Sequence, residues 1–275
     1  MTGGAYVVKK TQGFAAARWL SVAIIKTRSV LLIVLVLAAW ELFVRIFEVP
    51  VYLLPAPTVV ARSFVADWRV IAINLPPTMI EILAGFFLSI LIGVPLAVVI
   101  VYSPTAESFL YPPMVASQAI PKVAIAPLFI VWMGYGLAPK IWIAFLIAFF
   151  PIVIDTVVGL RSIHPGMLQL GRSMGGSSFK VFLKLRLPSA LPNIFAGMKV
   201  AITLAVVGAI TGEFVGSQSG LGYLMTSASG QMDVPLVFAV LTTISFIAMI
   251  LFFAVELIEN VSIPWHSSKR STGGH

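Results

Sequence analysis

The sequence contains no cysteine, which removes disulfide frameworks, zinc–thiolate sites and cysteine nucleophiles from consideration. Charge is nearly as scarce. Asp, Glu, Lys and Arg make up 10% of the 275 residues, where an average soluble domain carries about a quarter. Acids are the rarer sign, ten against eighteen bases. Histidine occurs three times, at His164, His266 and His275, always outside the long apolar runs. No GxxxxGK[ST], HExxH or GxSxG motif and no paired-carboxylate motif is present. Nucleotide hydrolysis, zinc-peptidase and serine-hydrolase chemistry therefore lack their parts, and neither catalytic residues nor a cofactor or metal site is expected.

What fills the chain instead is hydrocarbon: 59% of residues are hydrophobic, and mean hydropathy is +1.03. Continuous apolar runs of bilayer-crossing length recur, which predicts an all-α, polytopic membrane protein. A β-barrel would show short alternating segments instead. Six spans are expected, at Val30–Phe47, Thr78–Tyr102, Phe109–Met133, Lys140–Leu160, Ile194–Thr211 and Pro235–Ile258. The third is interrupted by Pro112, Pro113, Pro121 and Pro127. Pro55–Phe64 predicts a turn and a short amphipathic surface helix. The organisation is an N-terminal tail (1–29), a six-span domain (30–262) with a polar elbow at 161–192, and a C-terminal tail (263–275).

The elbow, RSIHPGMLQLGRSMGGSSFKVFLKLRLPSALPN, holds Arg161, Arg172, Lys180, Lys184 and Arg186 and no acid. Ser162 is placed to cap a helix, and Pro165 suits its first turn. Met167, Leu168, Leu170 and Met174 recur at helical spacing for roughly three turns. Gly175 and Gly176 permit the left-handed residue that stops it. A second short helix, Ser177–Leu185, puts Phe179, Phe182 and Leu183 on one face, and Leu187-Pro188 is expected to end it. Such a helix–Gly–helix unit, lying along the membrane, is shaped to dock against another protein.

Orientation follows from Lys and Arg, which resist translocation. With six spans, both tails, the second turn and the elbow share one side and hold twelve of the eighteen bases; the other side has Arg45, Arg62, Arg69 and Lys140. Both termini and the elbow are thus expected on the cytoplasmic side. The basic excess is a topology signal and predicts no nucleic-acid partner, which would need a dense stripe on a soluble surface.

Ionisable groups inside spans are costly unless paired or facing water. Lys122 follows Pro121 in mid-span, with Gln118 one turn away. The pair either faces a translocation path or Lys122 reaches an interface or a structural acid. Glu81 is expected to snorkel to the outer end of its span, and Asp155 to make a structural hydrogen bond. Glu213 opens a polar, Gly-rich segment and either lines the outer mouth of a pore or holds a re-entrant turn.

The spacing of Gly171, Gly175, Leu187 and Pro188 resembles the EAA loop of bacterial ABC importer permeases, with Gln169-Leu170-Gly171 standing where that family usually has Glu-Ala-Ala. LLPAPTVV, AIPKVAIAPLFIVWMGYG, FFPIVIDTVVGLRSI, LPSALPNIFAGMKVA and GEFVGSQSGLGYLM follow in order. Together they resemble the permease subunits of the nitrate/sulfonate/taurine class, with a MetI-like fold. That resemblance implies a non-catalytic subunit of the bacterial inner membrane, embedded in lipid. It would pair with a second copy of itself, two cytoplasmic ATP-binding cassette subunits and a periplasmic or lipid-anchored substrate-binding protein. It also implies ATPase coupling through Gln169, Leu170, Gly171, Arg172, Gly175, Ser177, Phe179, Leu187 and Pro188, and a path for a small solute. A secondary transporter driven by an ion gradient is the competing reading; it would carry inverted repeats, and no convincing repeat is visible.

Overall fold

The structure, a computed structural model, describes residues 31–265; the expected N-terminal tail, the first residue of the first span and all but the first three residues of the expected C-terminal tail lie outside them. All regular structure among the described residues is helical. The elements are α1 (31–46), α2 (Pro57–Ala66), α3 (Trp68–Tyr102), α4 (Pro104–Ser117), α5 (Lys122–Met133), α6 (Leu137–Arg161), α7 (Pro165–Ser173) and α8 (Ser178–Val181). A π-helical turn, Phe182–Arg186, leads into α9 (Leu187–Gly216), followed by α10 (Leu221–Gly230) and α11 (Val234–Ser262). Among the described residues four helices are long and apolar enough to cross a membrane: α3, α6, the continuous 39-residue rod Ser178–Gly216, and α11. α4 and α5 pass together as a fifth, bent by 101°.

The core is a three-helix contact built on small residues, which let backbones approach closely where lipid supplies no hydrophobic drive. On α3, Gly85, Ser89, Gly93 and Ala97 recur every fourth residue and are buried. A Cβ on Gly85 would meet Ala144 Cβ at 2.6 Å, and one on Gly93 would meet Ile152 at 3.0 Å, so α3 and α6 run parallel. α9 runs antiparallel to α6: Gly208 abuts Ala144, Gly197 abuts Asp155, and Asn193 abuts Gly159. Thus the start of α6 and the end of α9 lie together, at the opposite end from the elbow.

Prolines stop fewer helices than expected. Pro76 and Pro77 were expected outside the second span, but α3 continues through both. Leu187-Pro188 does not end the elbow's second helix either. The Leu187 N–H reaches back to the Phe182 carbonyl, a wider π-type bond. This local widening relieves the clash that Pro188 would otherwise make with the carbonyl four residues before it. PAPTVVARSF forms the expected turn and short helix. Thr58, in the first turn of α2, donates its backbone N–H to Glu41 Oε2 at 3.0 Å and its hydroxyl to Oε1 at 2.8 Å. Glu41 also binds Arg45, as its spacing predicts.

Candidate functional site

At one end of the bundle, the elbow forms from local signals. Pro165 occupies the first turn of α7, but the cap is His164, whose Nδ1 accepts the Gly166 N–H at 3.2 Å. Ser162, the expected cap, instead donates its hydroxyl to the Gly159 carbonyl at 2.8 Å, closing α6. Gly175 takes φ +77°, the left-handed conformation that glycine tolerates best. Its N–H reaches Arg172 O, while the Gly176 N–H reaches Gly171 O, the paired bonds of a Schellman stop. Gly171 is held small from outside: a Cβ there would lie 2.7 Å from Leu185 Cδ1. Ser177 then caps α8 by accepting the Lys180 N–H at 3.4 Å.

This folding leaves an apolar and basic face uncovered. Met174 is 79% exposed and Phe179 70%, with Met167, Leu170 and Leu183 also outward. Gln169, Arg172, Gly175 and Ser177 are exposed around them, whereas Gly171, Leu187 and Pro188 are half-buried at the hinge with α9. Phe182 leaves the expected shared face and turns inward, edge-on to Tyr102 with ring centroids 5.7 Å apart.

The break between α4 and α5 carries the second expected group. Gln118 is exposed and Lys122 half-buried. Among the described residues no acid pairs with Lys122; its ammonium lies 4.4 Å from the centre of the Phe150 ring on α6. Asp155 makes none of the hydrogen bonds among the described residues, contrary to expectation, and Gly197 leaves the space it occupies.

The opposite end holds a buried polar cluster that sequence reasoning assigned only in part. Glu81 is fully buried and ion-paired with Lys140, itself 3% exposed. It does not snorkel, and Lys140 is not a loop cation. Among the described residues no hydrogen bond from another group reaches either Glu81 oxygen. Lys140 also donates to Ser217 Oγ at 3.0 Å. Glu213, 1% exposed, accepts the Thr78 hydroxyl at 2.6 Å and the backbone N–H of Gly222. Thr78 Oγ accepts the Leu221 N–H at 2.8 Å, and Asn74 accepts that of Gly220 at 2.9 Å. Glu213 therefore binds the turn into α10. Gly220, at φ +109°, has its α-carbon so close to this carboxylate that any side chain would strike it. The place of Lys140 at the start of the expected fourth span, four residues past the GYG turn, was the available signal; its partner on α3 was not. A cavity of about 340 Å³ lined by Tyr135, Lys140, Ser217 and Gln218 opens above the cluster.

Residues 66–264 match the family described as "Binding-protein-dependent transport system inner membrane component". The chain is 35% identical to the formylaminopyrimidine transport permease protein ThiX of Halalkalibacterium halodurans, over 87% of this chain and 96% of that one. It is 36% identical to the riboflavin transport system permease protein RibX of Chloroflexus aurantiacus, over 86% and 89%. To the taurine transport system permease protein TauC of Escherichia coli it is 26% identical, over 70% of each. Among solved structures, a chain of the inward-facing MetNI methionine ABC transporter superposes with a TM-score of 0.62 at 20% identity, covering 71% of this chain and 97% of that chain.

Proposed function

Because the chain belongs to the family of binding-protein-dependent transport system inner membrane components, we propose that its elbow is the handle by which ATPase subunits drive it. It is a multi-pass, non-catalytic permease subunit of an ABC importer for a small solute. ATP hydrolysis belongs to partner subunits, and substrate delivery to a binding protein.

The carrying observation is the exposed elbow face. Met174, Phe179 and Leu183 stand outward beside Arg172, Lys180 and Lys184, at the point where α6 ends and the α9 rod begins. A large apolar patch with a charged rim is the composition of a docking surface. On this reading the elbow, both tails and the ATPases are cytoplasmic, and the Glu81–Lys140–Glu213 end is periplasmic, facing a periplasmic or lipid-anchored binding protein. Two copies of the chain face each other across the path in the inner-membrane lipid. Nucleotide-driven closure of the two ATPases draws the elbows together and turns the path outward.

Lys122 and Gln118 border that path. A Lys at a span centre costs about 2.5–3.5 kcal/mol, and a cation–π contact returns about 0.5–2 kcal/mol. The Phe150 ring thus offsets only part of the cost, and a water-filled path supplies the rest. Glu213 shapes the path indirectly, by fixing the turn into α10. ThiX, RibX and TauC are named for a formylaminopyrimidine, riboflavin and taurine, so the solute here is proposed as a small organic molecule of that range.

Purification from detergent-solubilised membranes is the test. An ATP-binding cassette subunit should accompany the chain and detach when Phe179 and Leu183 are both changed to Asp. Substrate uptake by the chain alone in liposomes, responding to an ion gradient, would establish the secondary-transporter reading instead.

A further inference from the structure

The corner where α3 meets α4 is held by the elbow at two points, from two sides. At the elbow's exit, Arg186 lies with its guanidinium carbon 5.0 Å from the centre of the Tyr102 ring, and Phe182 meets the same ring edge-on. At its entry, Arg161, the last residue of α6, binds Glu107 in the first turn of α4 at 2.7 Å. Between these points Ser103 caps α4 by accepting the Ala106 N–H at 3.2 Å. α4 is otherwise lightly held. None of its residues is buried, and Tyr111 and Met114 merely lean on the Ala97–Ile100–Val153–Val157 cluster. Beyond α4 come the 101° break and Lys122.

We infer that residues 102–107 form a transmission corner, in which Tyr102 and Glu107 are positioning residues that convert elbow movement into movement of the α4–α5 break. A shift of the elbow carries Arg161 and Arg186 with it. Both grip the same six-residue corner, so the first turn of α4 must follow, and the helix pivots where nothing buries it. This inference rests on the reading that an ATPase moves the elbow. The Arg161–Glu107 pair is nearly half exposed on both sides, so it adds little to folding stability, and its variants are expected to insert and assemble.

The experiment uses the purified complex with its ATPase subunits in liposomes. The chain has no cysteine of its own, so Ala119→Cys in the break gives a single site on it for a water-soluble maleimide. Labelling of this chain is timed without nucleotide and with ATP plus vanadate. Nucleotide should change the rate several-fold; Glu107→Gln and Tyr102→Leu should each remove most of that change while ATP hydrolysis persists. The charge exchange Glu107→Arg with Arg161→Glu should restore it. An unchanged nucleotide response in both single variants overturns the inference, as does a loss that the exchange fails to restore. Absence of any ATPase from the unaltered complex would sink the functional reading instead.

Discussion

Removing the Lys140 ammonium would leave Glu81 buried beside Glu213 with no counter-charge. Breaking such a buried pair costs about 3–5 kcal/mol, while replacing both members with apolar groups costs far less. Lys140→Met should therefore lower the melting temperature in detergent markedly, and adding Glu81→Leu should recover part of the loss. Melting of Lys140→Met at the parental temperature would show that the pair does not hold this end together. Lys122, which has no acid partner among the described residues, should behave differently. Lys122→Met is expected to leave melting nearly unchanged and to alter uptake rate or selectivity in the reconstituted importer; normal transport kinetics would assign it to packing. Local pairs such as Glu41–Arg45 were legible because their spacing places them on one helix face. Glu81–Lys140 was not, since it depends on α3 and α6 running side by side in parallel. Lys199 and Glu259, bonded at 2.7 Å between α9 and α11, were hidden for the same reason.

Helices and turns carry the next set of consequences. Gly175 is needed for its left-handed backbone, and a β-branched residue there resists that conformation. Gly175→Val should insert and assemble yet hydrolyse ATP with little uptake, read as solute moved per ATP in liposomes; an unchanged ratio would count against the elbow as a rigid handle. Gly208 is needed for space, because a side chain would meet the Ala144 backbone at 2.6 Å. Gly208→Leu should force α6 from α9 and sharply reduce the folded yield seen on size-exclusion chromatography. The stop at Gly175 and the proline start at Pro165 were visible in the sequence because such signals act within one turn. Pro188 misled because its effect depends on whether the helix before it can widen. With a π turn at Phe182–Arg186 the helix passes through, and the second arm of the elbow becomes the first turns of the continuous rod Ser178–Gly216. The elbow is therefore continuous with a helix long and apolar enough to cross a membrane.

Across the whole molecule, composition alone was enough for a polytopic helical protein, because hydrocarbon admits few other backbones. Four spans and a bent fifth are present among the described residues; the expected first span begins at their edge. The bend was foreshadowed by four prolines in the third run, but its angle depends on how α4 rests on α3 and α6. The exposed elbow face was legible as amphipathic and basic, and the buried cluster at the far end was not. The proposed coupling requires one contact, between that elbow and a nucleotide-hydrolysing partner. Leu170→Cys, the single cysteine on this chain, should cross-link through a short bifunctional reagent to an ATP-binding cassette subunit in membranes, and the yield should change when ATP and vanadate are added. Labelling of that cysteine by an impermeant maleimide from outside intact spheroplasts, with no cross-linked ATPase, would contradict it.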